Sequence, residues 1–504
     1  MDLSHWIERN AAFHGAKAAI VFEGEEISYA AFDRRITRLA AALQQGLGIG
    51  PGDRLAHLGA NSPESLDLLF ACARLGAILV PLNWRLAAPE LRYILEDCEP
   101  SALFADAEFR PTIDTIGDDL KGCRLVGYGG GEGWRDYDAL LEAGDADAPA
   151  PAPVGEPDTP VLIVYTSGTT GRPKGAVLSQ SAIAWNAVNS AHLHDLTSAD
   201  TILTFLPMFH VGGLNIQTTP ALHAGATVVI LRRFEPGAAL AAIRQYAPSL
   251  MVNVPVTMQA MLQHADWAKT DFSCLRMMTT GSTNVPAPLI RAYLERGVAV
   301  GQVYGSSETA PLAIVLRGED GAARIGSAGT AALHCRARIV DDAGNDPGPG
   351  EPGEILIRGP NLLSRYWNDA QATREALKDG WFHTGDIGVR DEDGYFTIVD
   401  RKTDMIISGS ENIYPAEIEA VLAECEGIEE SAVVGRPDDK WGEVVVAVIV
   451  RKEGHSLEPA DILGLFEGAL ARYKHPREVI FVDTLPRNVM GKILKYEVRE
   501  MVKG

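Results

Sequence analysis

Tyr165-Thr166-Ser167-Gly168-Thr169-Thr170-Gly171-Arg172-Pro173-Lys174-Gly175 is the stretch on which the reading of this chain turns. Val161-Leu162-Ile163-Val164 runs into it, and Ala176-Val177-Leu178-Ser179 runs out. Two strand-like apolar runs closing a loop of glycines, hydroxyls and one lysine predict backbone N–H groups and side-chain donors that converge on an anion, most often a phosphate. The P-loop register does not fit. Counted from Gly168, it puts Pro173 where the second Gly is required and Gly175 where a hydroxyl must follow Lys174. Taken alone, the stretch also fits a Gly- and Thr-rich hairpin turn with no ligand.

Upstream, helix-like and strand-like patterns alternate. From Tyr29 to Leu47 the apolar residues Phe32, Ile36, Leu39, Ala40 and Leu43 recur at helical spacing, and Gly48 to Asp53 turns the chain into the strand-like Arg54 to Leu58. A second round runs from the helix-like Ser62 to Leu75 into the strand-like Ala77 to Leu82. The Ala-, Pro- and Asp-rich segment 143–160 reads as a surface linker that delivers the chain to the cradle. Downstream, strands over 226–231 and 250–254 alternate with helices over 235–246 and 256–263. Such alternation implies crossover connections and a mostly parallel sheet. No repeat with a period of ~20–50 residues is visible.

From about residue 330 the texture changes to short strands and turns: 336–340, 353–358 and 394–399 predict a small antiparallel or barrel-like unit that ends at Asp400-Arg401-Lys402. The last hundred or so residues alternate again, with a strand at 405–407, a helix from Pro415 to about Glu426, strands over 430–435 and 444–450, and a helix from Pro459 to Arg472. The fold class expected is therefore α/β: a large N-terminal domain, 1–400, of α/β subdomains with a β-barrel-like part at about 330–400, and a small C-terminal α+β domain, 401–504.

Bulk properties narrow the function. The 504 residues carry a formal net charge of −22. A field of that sign repels phosphates at long range, which argues against a general nucleic-acid or anionic-membrane binder. Any phosphate chemistry must be done by locally placed cations and backbone donors. Cys72, Cys98, Cys123, Cys274, Cys335 and Cys425 are scattered without metal-ligand spacing, as expected of buried reduced thiols in a cytoplasmic protein. No secretory signal is visible at the start, and no apolar run approaches the ~18 residues of a membrane span.

Three further stretches carry chemistry. Val303-Tyr304-Gly305-Ser306-Ser307-Glu308-Thr309 sets a carboxylate beside hydroxyls, which suits Mg²⁺ if a phosphate is near, since Mg²⁺ takes oxygen ligands and keeps several waters; alone, Glu308 reads first as a solvated loop residue. Thr384-Gly385-Asp386 offers a carboxylate able to accept two hydroxyls, though Asp is common in turns. Pro486 to Ile493 puts Lys492 behind Gly491, within a terminal segment where Lys and Arg outnumber Asp and Glu, the reverse of the whole chain.

Together with Asp400-Arg401-Lys402 and Gly409-Ser410-Glu411-Asn412-Ile413-Tyr414-Pro415, these motifs stand in the order and rough spacing of the adenylate-forming superfamily. That superfamily comprises acyl- and aryl-CoA synthetases, adenylation domains of peptide synthetases and firefly luciferase. The chain most resembles bacterial fatty-acyl-CoA synthetases and feruloyl-CoA synthetase-like ligases, over nearly its whole length. The resemblance implies a ligase with ATP, Mg²⁺ and CoA as cofactor and co-substrates. A carboxylate attacks the α-phosphorus of ATP to give acyl-AMP and pyrophosphate; the CoA thiol then attacks the acyl carbonyl and displaces AMP.

Residue by residue, the resemblance assigns Thr166, Ser167, Gly168, Thr169, Thr170 and Lys174 to the β- and γ-phosphates, and Glu308 with Thr166 to Mg²⁺. It puts Tyr304 on adenine beside the Gly281-Ser282-Thr283 turn, with Gly305, Ser306 and Ser307 in the same nucleotide site. Asp386 takes the ribose hydroxyls, with Arg401 near the same sugar. Lys492 bridges the carboxylate and the α-phosphate, where charge develops. Asp400 becomes the hinge of a rotation that withdraws Lys492 and presents Gly409 and Ser410 to the pantetheine arm, with Lys474 and Arg472 toward CoA phosphates. His210 matches an aromatic position that gates the thiol at the acyl pocket.

Three positions depart from the family pattern: Ser307 replaces the usual Thr before the Mg²⁺ carboxylate, Ser410 replaces the second Gly before Glu411, and Val303 stands where malonyl-activating relatives carry Arg. The presumed pocket stretches 209–215, 253–258, 279–284 and 302–312 contain no Arg or Lys, so a second substrate carboxylate would be buried without a partner. The expected partner is a small-molecule monocarboxylic acid with an apolar body, a medium- or long-chain fatty acid first and an aryl or phenylpropenoic acid second. Loading of a carrier protein in trans and a catalytically dead nucleotide-binding module are the rivals; Glu308 and Lys492 weigh against the latter. Relatives often form homodimers.

Overall fold

The computed structural model describes residues 3–120, 122–129, 131–145, 158–166, 173–281, 285–341, 343–402, 404–408, 411–438, 441–467, 469–470, 472–487 and 491–503. The linker expected over 143–160 lies mostly outside them. Among the described residues the strands form four sheets.

The helix Tyr29–Leu47 shows how the first half is built. The Ser28 side chain accepts the Ala31 N–H at its start, and Gly48, at φ 64°, ends it in the left-handed conformation. Phe32, Ile36, Leu39, Ala40 and Leu43 are buried, the face that the spacing predicts. The helix Pro63–Leu75, buried at every position but Glu64, packs beside it. Both lie in one large core that also takes Leu55, Leu79 and Leu162 from one sheet and Ile202, Val228 and Met251 from another.

The nine-stranded sheet has a parallel interior made of Ala18–Phe22, Thr201–Thr204, Thr227–Ile230, Leu250–Asn253, Met277–Gly281 and Val300–Tyr304. Antiparallel strands flank it. Helices on both faces explain why its strands read as continuous apolar runs. The eight-stranded sheet sets Arg54–Leu58 between Ile78–Pro81 and Ala102–Asp106 in parallel, then adds the antiparallel hairpin Pro160–Thr166 and Lys174–Ser179. A two-residue strand, Arg365–Tyr366, closes its edge against Lys174–Ser179.

Arg336–Val340, Gly353–Arg358, Trp381–Arg390 and Phe396–Arg401 form most of a small antiparallel sheet. From Ile406 onward the chain builds a separate sheet with its own apolar cores, centred on the long hairpin Ile428–Asp438 and Gly442–Arg451. Here the periodicity misleads once. The helix expected from Pro459 to Arg472 stops at Gly464, after which Leu465, Phe466 and Glu467 bond only three residues back. Gly464 weakens the helix, and Phe466 is buried by the tighter turns that follow.

Cys72, Cys98 and Cys335 are buried and Cys123, Cys274 and Cys425 half-buried; none is paired in a disulfide. Among the described residues no helix is long and apolar enough to cross a membrane.

Candidate active site

The cradle is a hairpin. Thr166 pairs with Lys174 across its mouth, and the Thr166 hydroxyl donates to the Lys174 carbonyl at 3.4 Å. Ser167, Gly168, Thr169 and Thr170 lie outside the described residues, as do Ser282, Thr283, Gly409 and Ser410. The Lys174 ammonium stands 5.6 Å from the centre of the Tyr366 ring. Tyr366 in turn donates its hydroxyl to Glu308 Oε1 at 2.8 Å. One phenol therefore links the cradle lysine to the predicted metal carboxylate.

Glu308 sits in a single helical turn, Ser307–Thr309, closed by the Thr309 hydroxyl accepting the Ser306 N–H at 2.9 Å. Its backbone carbonyl accepts the Leu363 N–H at 2.7 Å, which fixes the turn to the chain that leads into Tyr366. Gly305 before it has no alternative, because a Cβ there would lie 1.7 Å from the Pro311 carbonyl oxygen. Gly281 is equally constrained, its added Cβ falling 2.2 Å from the Val303 carbonyl oxygen. The Ser306 hydroxyl is buried without a hydrogen-bond partner. A lone hydroxyl and one buried carboxylate beside a lysine suit Mg²⁺ bound through phosphate and water oxygens, which needs only one or two protein carboxylates. No cluster of three or more metal-ligating side chains occurs among the described residues, so an all-protein metal cage is not available there.

A second group forms where two strands run side by side. Asp386 and Arg401 are opposite each other in the register of Trp381–Arg390 and Phe396–Arg401, with Arg401 Nε 3.6 Å from Asp386 Oδ1. The Tyr304 hydroxyl, from the end of Val300–Tyr304, donates to Asp386 Oδ2 at 2.7 Å. Thr384 braces the turn by donating to the Ile355 carbonyl at 2.7 Å and accepting the Asp386 N–H at 3.0 Å. Burial pushes the Asp386 carboxyl upward, with Arg401 and Tyr304 opposing. The Tyr304 hydroxyl thus helps align the Asp386 carboxylate.

Lys492 joins this group from the C-terminal segment that precedes the helix Lys495–Met501. Gly491 lies against Val256, at the start of the helix Pro255–Gln263. Burial, followed by the charge of Arg401, lowers the Lys492 ammonium to about 8, against the attraction of Asp386 and Asp404. The structure therefore brings Tyr304, Asp386, Arg401 and Lys492 together.

His210 precedes the short helix Val211–Asn215, beside Phe209, whose ring meets Trp84 edge-on at 6.2 Å. Burial, and then the charge of Arg85, lowers its imidazole to about 4, so it is neutral at pH 7. Arg85 comes from outside the four pocket stretches, which themselves contain no Arg or Lys. Lys474 stands in the short turn Arg472–Lys474 and is paired with Glu417 of its own domain rather than with the nucleotide group.

Tyr366 and Arg85 were not singled out by the sequence. A two-residue strand carries no periodic signal, and Arg85 acts through a fold that sets it beside a residue more than a hundred positions away.

Over nearly its whole length the chain is similar to known proteins. The profile described as AMP-binding enzyme matches residues 7–367, and that described as AMP-binding enzyme C-terminal domain matches 417–492. The chain is 53% identical over 503 residues to the indoleacetate–CoA ligase of Aromatoleum aromaticum, covering 100% of this chain and 98% of that protein. It is 43% identical to a feruloyl-CoA synthase of an Amycolatopsis species, covering 99% and 98%. Among solved structures, the anthranilate CoA ligase AuaEII in complex with anthranoyl-AMP matches with a TM-score of 0.93 at 27% identity, covering 100% of this chain and 97% of that one.

Proposed function

Since the chain belongs to the AMP-binding enzymes of the adenylate-forming superfamily and is an ATP-dependent, AMP-forming acid–thiol ligase that uses ATP, Mg²⁺ and CoA, we propose that its acid substrate is an aryl or arylalkanoic monocarboxylate. The observation that carries this reading is the 53% identity, across essentially the whole chain, to a ligase named for indoleacetate. The feruloyl-CoA synthase at 43% points the same way, and Trp84, Phe209 and His210 form a suitable aromatic cluster. A fatty acid, the first expectation from sequence, gives way to the aryl acid.

The residue roles form part of the same proposal. Lys174 and the cradle hold the pyrophosphate end of ATP, leaving the α-phosphorus open. Asp386 orients the ribose, with Tyr304 and Arg401 fixing the carboxylate. Lys492 brings its ammonium to the oxygens that gain charge as the carboxylate attacks. Glu308 with Thr166 would hold Mg²⁺, which when bound neutralises phosphate charge. The residues from about 401 onward form a C-terminal lid that turns about Asp400 between the half-reactions, and His210 borders the path of the thiol. A cytoplasmic setting and a homodimer complete the proposal; light scattering tests the latter.

Pyrophosphate release with CoA present, across indoleacetate, ferulate, benzoate, decanoate and palmitate, tests the substrate. An aryl acid is expected to give the highest kcat/KM, and preference for an alkanoate overturns the reading.

A further inference from the structure

Lys495, three residues beyond Lys492, is largely buried. Its ammonium lies 3.0 Å from Glu419 Oε1 on the helix Pro415–Ala423 and 3.8 Å from Asp400 Oδ2. Asp400 is opposite Ile387 in the small antiparallel sheet, so its backbone belongs to the larger part of the molecule. Its carboxylate nevertheless reaches the C-terminal domain, where Oδ2 accepts the Ala416 N–H at 3.1 Å. Oδ1 accepts the Arg401 N–H at 2.7 Å. Glu419 is itself fixed, accepting the Val433 N–H at 2.7 Å. Turning the C-terminal domain about residues 400 and 401 would carry Ala416, Glu419 and Lys495 away together.

We propose that Lys495 is a positioning residue for the first half-reaction: by clamping the Asp400 carboxylate across the junction of the two domains, it holds Lys492 against Asp386 and Arg401. The proposal rests on the reading of Lys492 as the cation of that half-reaction. Its chemistry follows from the pairing. Burial works against the charge of Lys495, but Glu419 and Asp400 outweigh it and keep the ammonium above the usual lysine range. Removing one partner of such a pair leaves an uncompensated buried charge, so the clamp loosens when Lys495 is neutral. The second anchor on the same segment, Arg499 to Asp404 at 2.7 Å, lies wholly within the C-terminal domain and cannot replace it.

The experiment measures each half-reaction in single turnover: pyrophosphate release from acid and ATP, and thioester formation from supplied acyl-AMP and CoA. Lys495→Met is expected to slow the first about tenfold or more and to leave the second within about twofold, a pattern expected when only one transition state loses support. Lys495→Arg should recover most of the first rate. The groups facing Lys492 are Arg401, Asp386, Asp404 and Lys495. Losing the last of these cations should move the alkaline fall of the first half-reaction to higher pH, which a merely structural lesion would not do.

Equal loss in both half-reactions, with no movement of the alkaline limb and no rescue by Arg, overturns the positioning role. Should Lys495→Met fail to fold, Lys495→Gln carries the test, because it keeps a donor for Glu419 while removing the charge. A slowed first half-reaction with an intact second is then expected, and an unchanged first rate overturns the proposal. Acyl-AMP formation that survives Lys492→Ala would overturn the underlying reading of Lys492; a dead Lys492→Ala beside a fully active Lys495→Met overturns the clamp alone.

Discussion

The Tyr366 hydroxyl donates to Glu308 Oε1 at 2.8 Å across 58 positions of sequence, and the same ring lies 5.6 Å from the Lys174 ammonium. The carboxylate proposed for Mg²⁺ thus has its orientation set by a residue of the edge strand that closes the cradle. Tyr366→Phe removes the donor and leaves a buried carboxylate oxygen short of one hydrogen bond, a loss of about 1–3 kcal/mol. The apparent KM for Mg·ATP is expected to rise about tenfold, with half-saturation by Mg²⁺ shifted upward; initial rates over a Mg²⁺ series at fixed ATP check this.

Asp386 accepts from Tyr304 and faces Arg401, so its removal costs more than one contact. Asp386→Ala should raise the KM for ATP about tenfold or more while altering the KM for the acid little. Tyr304→Phe should give a smaller rise of the same sign, roughly threefold, because the carboxylate remains and only its alignment is lost. Steady-state kinetics with ATP and acid varied separately check both. An unchanged KM for ATP in Asp386→Ala would remove it from the ribose.

Lys492→Ala is expected to nearly abolish acyl-AMP formation while largely sparing thioester formation from supplied acyl-AMP. A pH profile gives an independent check. Its ammonium is lowered to about 8 by burial, then by Arg401. The protonated form stabilises the first transition state, so the rate of pyrophosphate release should fall as pH rises through about 8 while the second half-reaction keeps a different profile. Rapid-quench measurements from pH 6.5 to 9.5 read both limbs.

His57, His194 and His210 are each lowered to about 4, chiefly by burial. All three stay neutral in the folded protein at a pH where the unfolded chain, with an ordinary imidazole near 6.5, takes up protons. Their depressed values make folding less favourable as pH falls from about 6.5 to about 4, each by up to about 1.4 kcal/mol per pH unit. The thermal midpoint should therefore drop steeply over that window. His57→Leu should flatten the slope, since His57 Nε2 is buried with no hydrogen-bond partner to lose. Calorimetry at half-unit steps of pH checks it.

Much of this enzyme is legible in its sequence. The cradle hairpin follows from two apolar runs around glycines and hydroxyls, and the helix Tyr29–Leu47 from its spacing and its Ser28 and Gly48 ends. Asp386, Glu308 and Lys492 were legible as motifs because turn chemistry and local residue order carry them. The overlong helix after Pro459 shows the limit of periodicity, for apolar spacing does not reveal where a chain prefers tight turns. Arg85 shows another, since the four pocket stretches contain no cation and the one that acts on His210 arrives from elsewhere.

What the sequence by itself determined was local: which segments are strands or helices, which glycines permit close approach, and which reactive side chains the chain carries. Only the tertiary structure decided that Tyr366 joins Lys174 to Glu308, that Arg401 and Asp386 face Lys492, and that Asp400 reaches across to Lys495. The physical reason is range. Propensity and turn geometry act over a few neighbouring residues, whereas hydrogen bonds and charges act over a few ångströms of space between groups that only the packing of the sheets brings together.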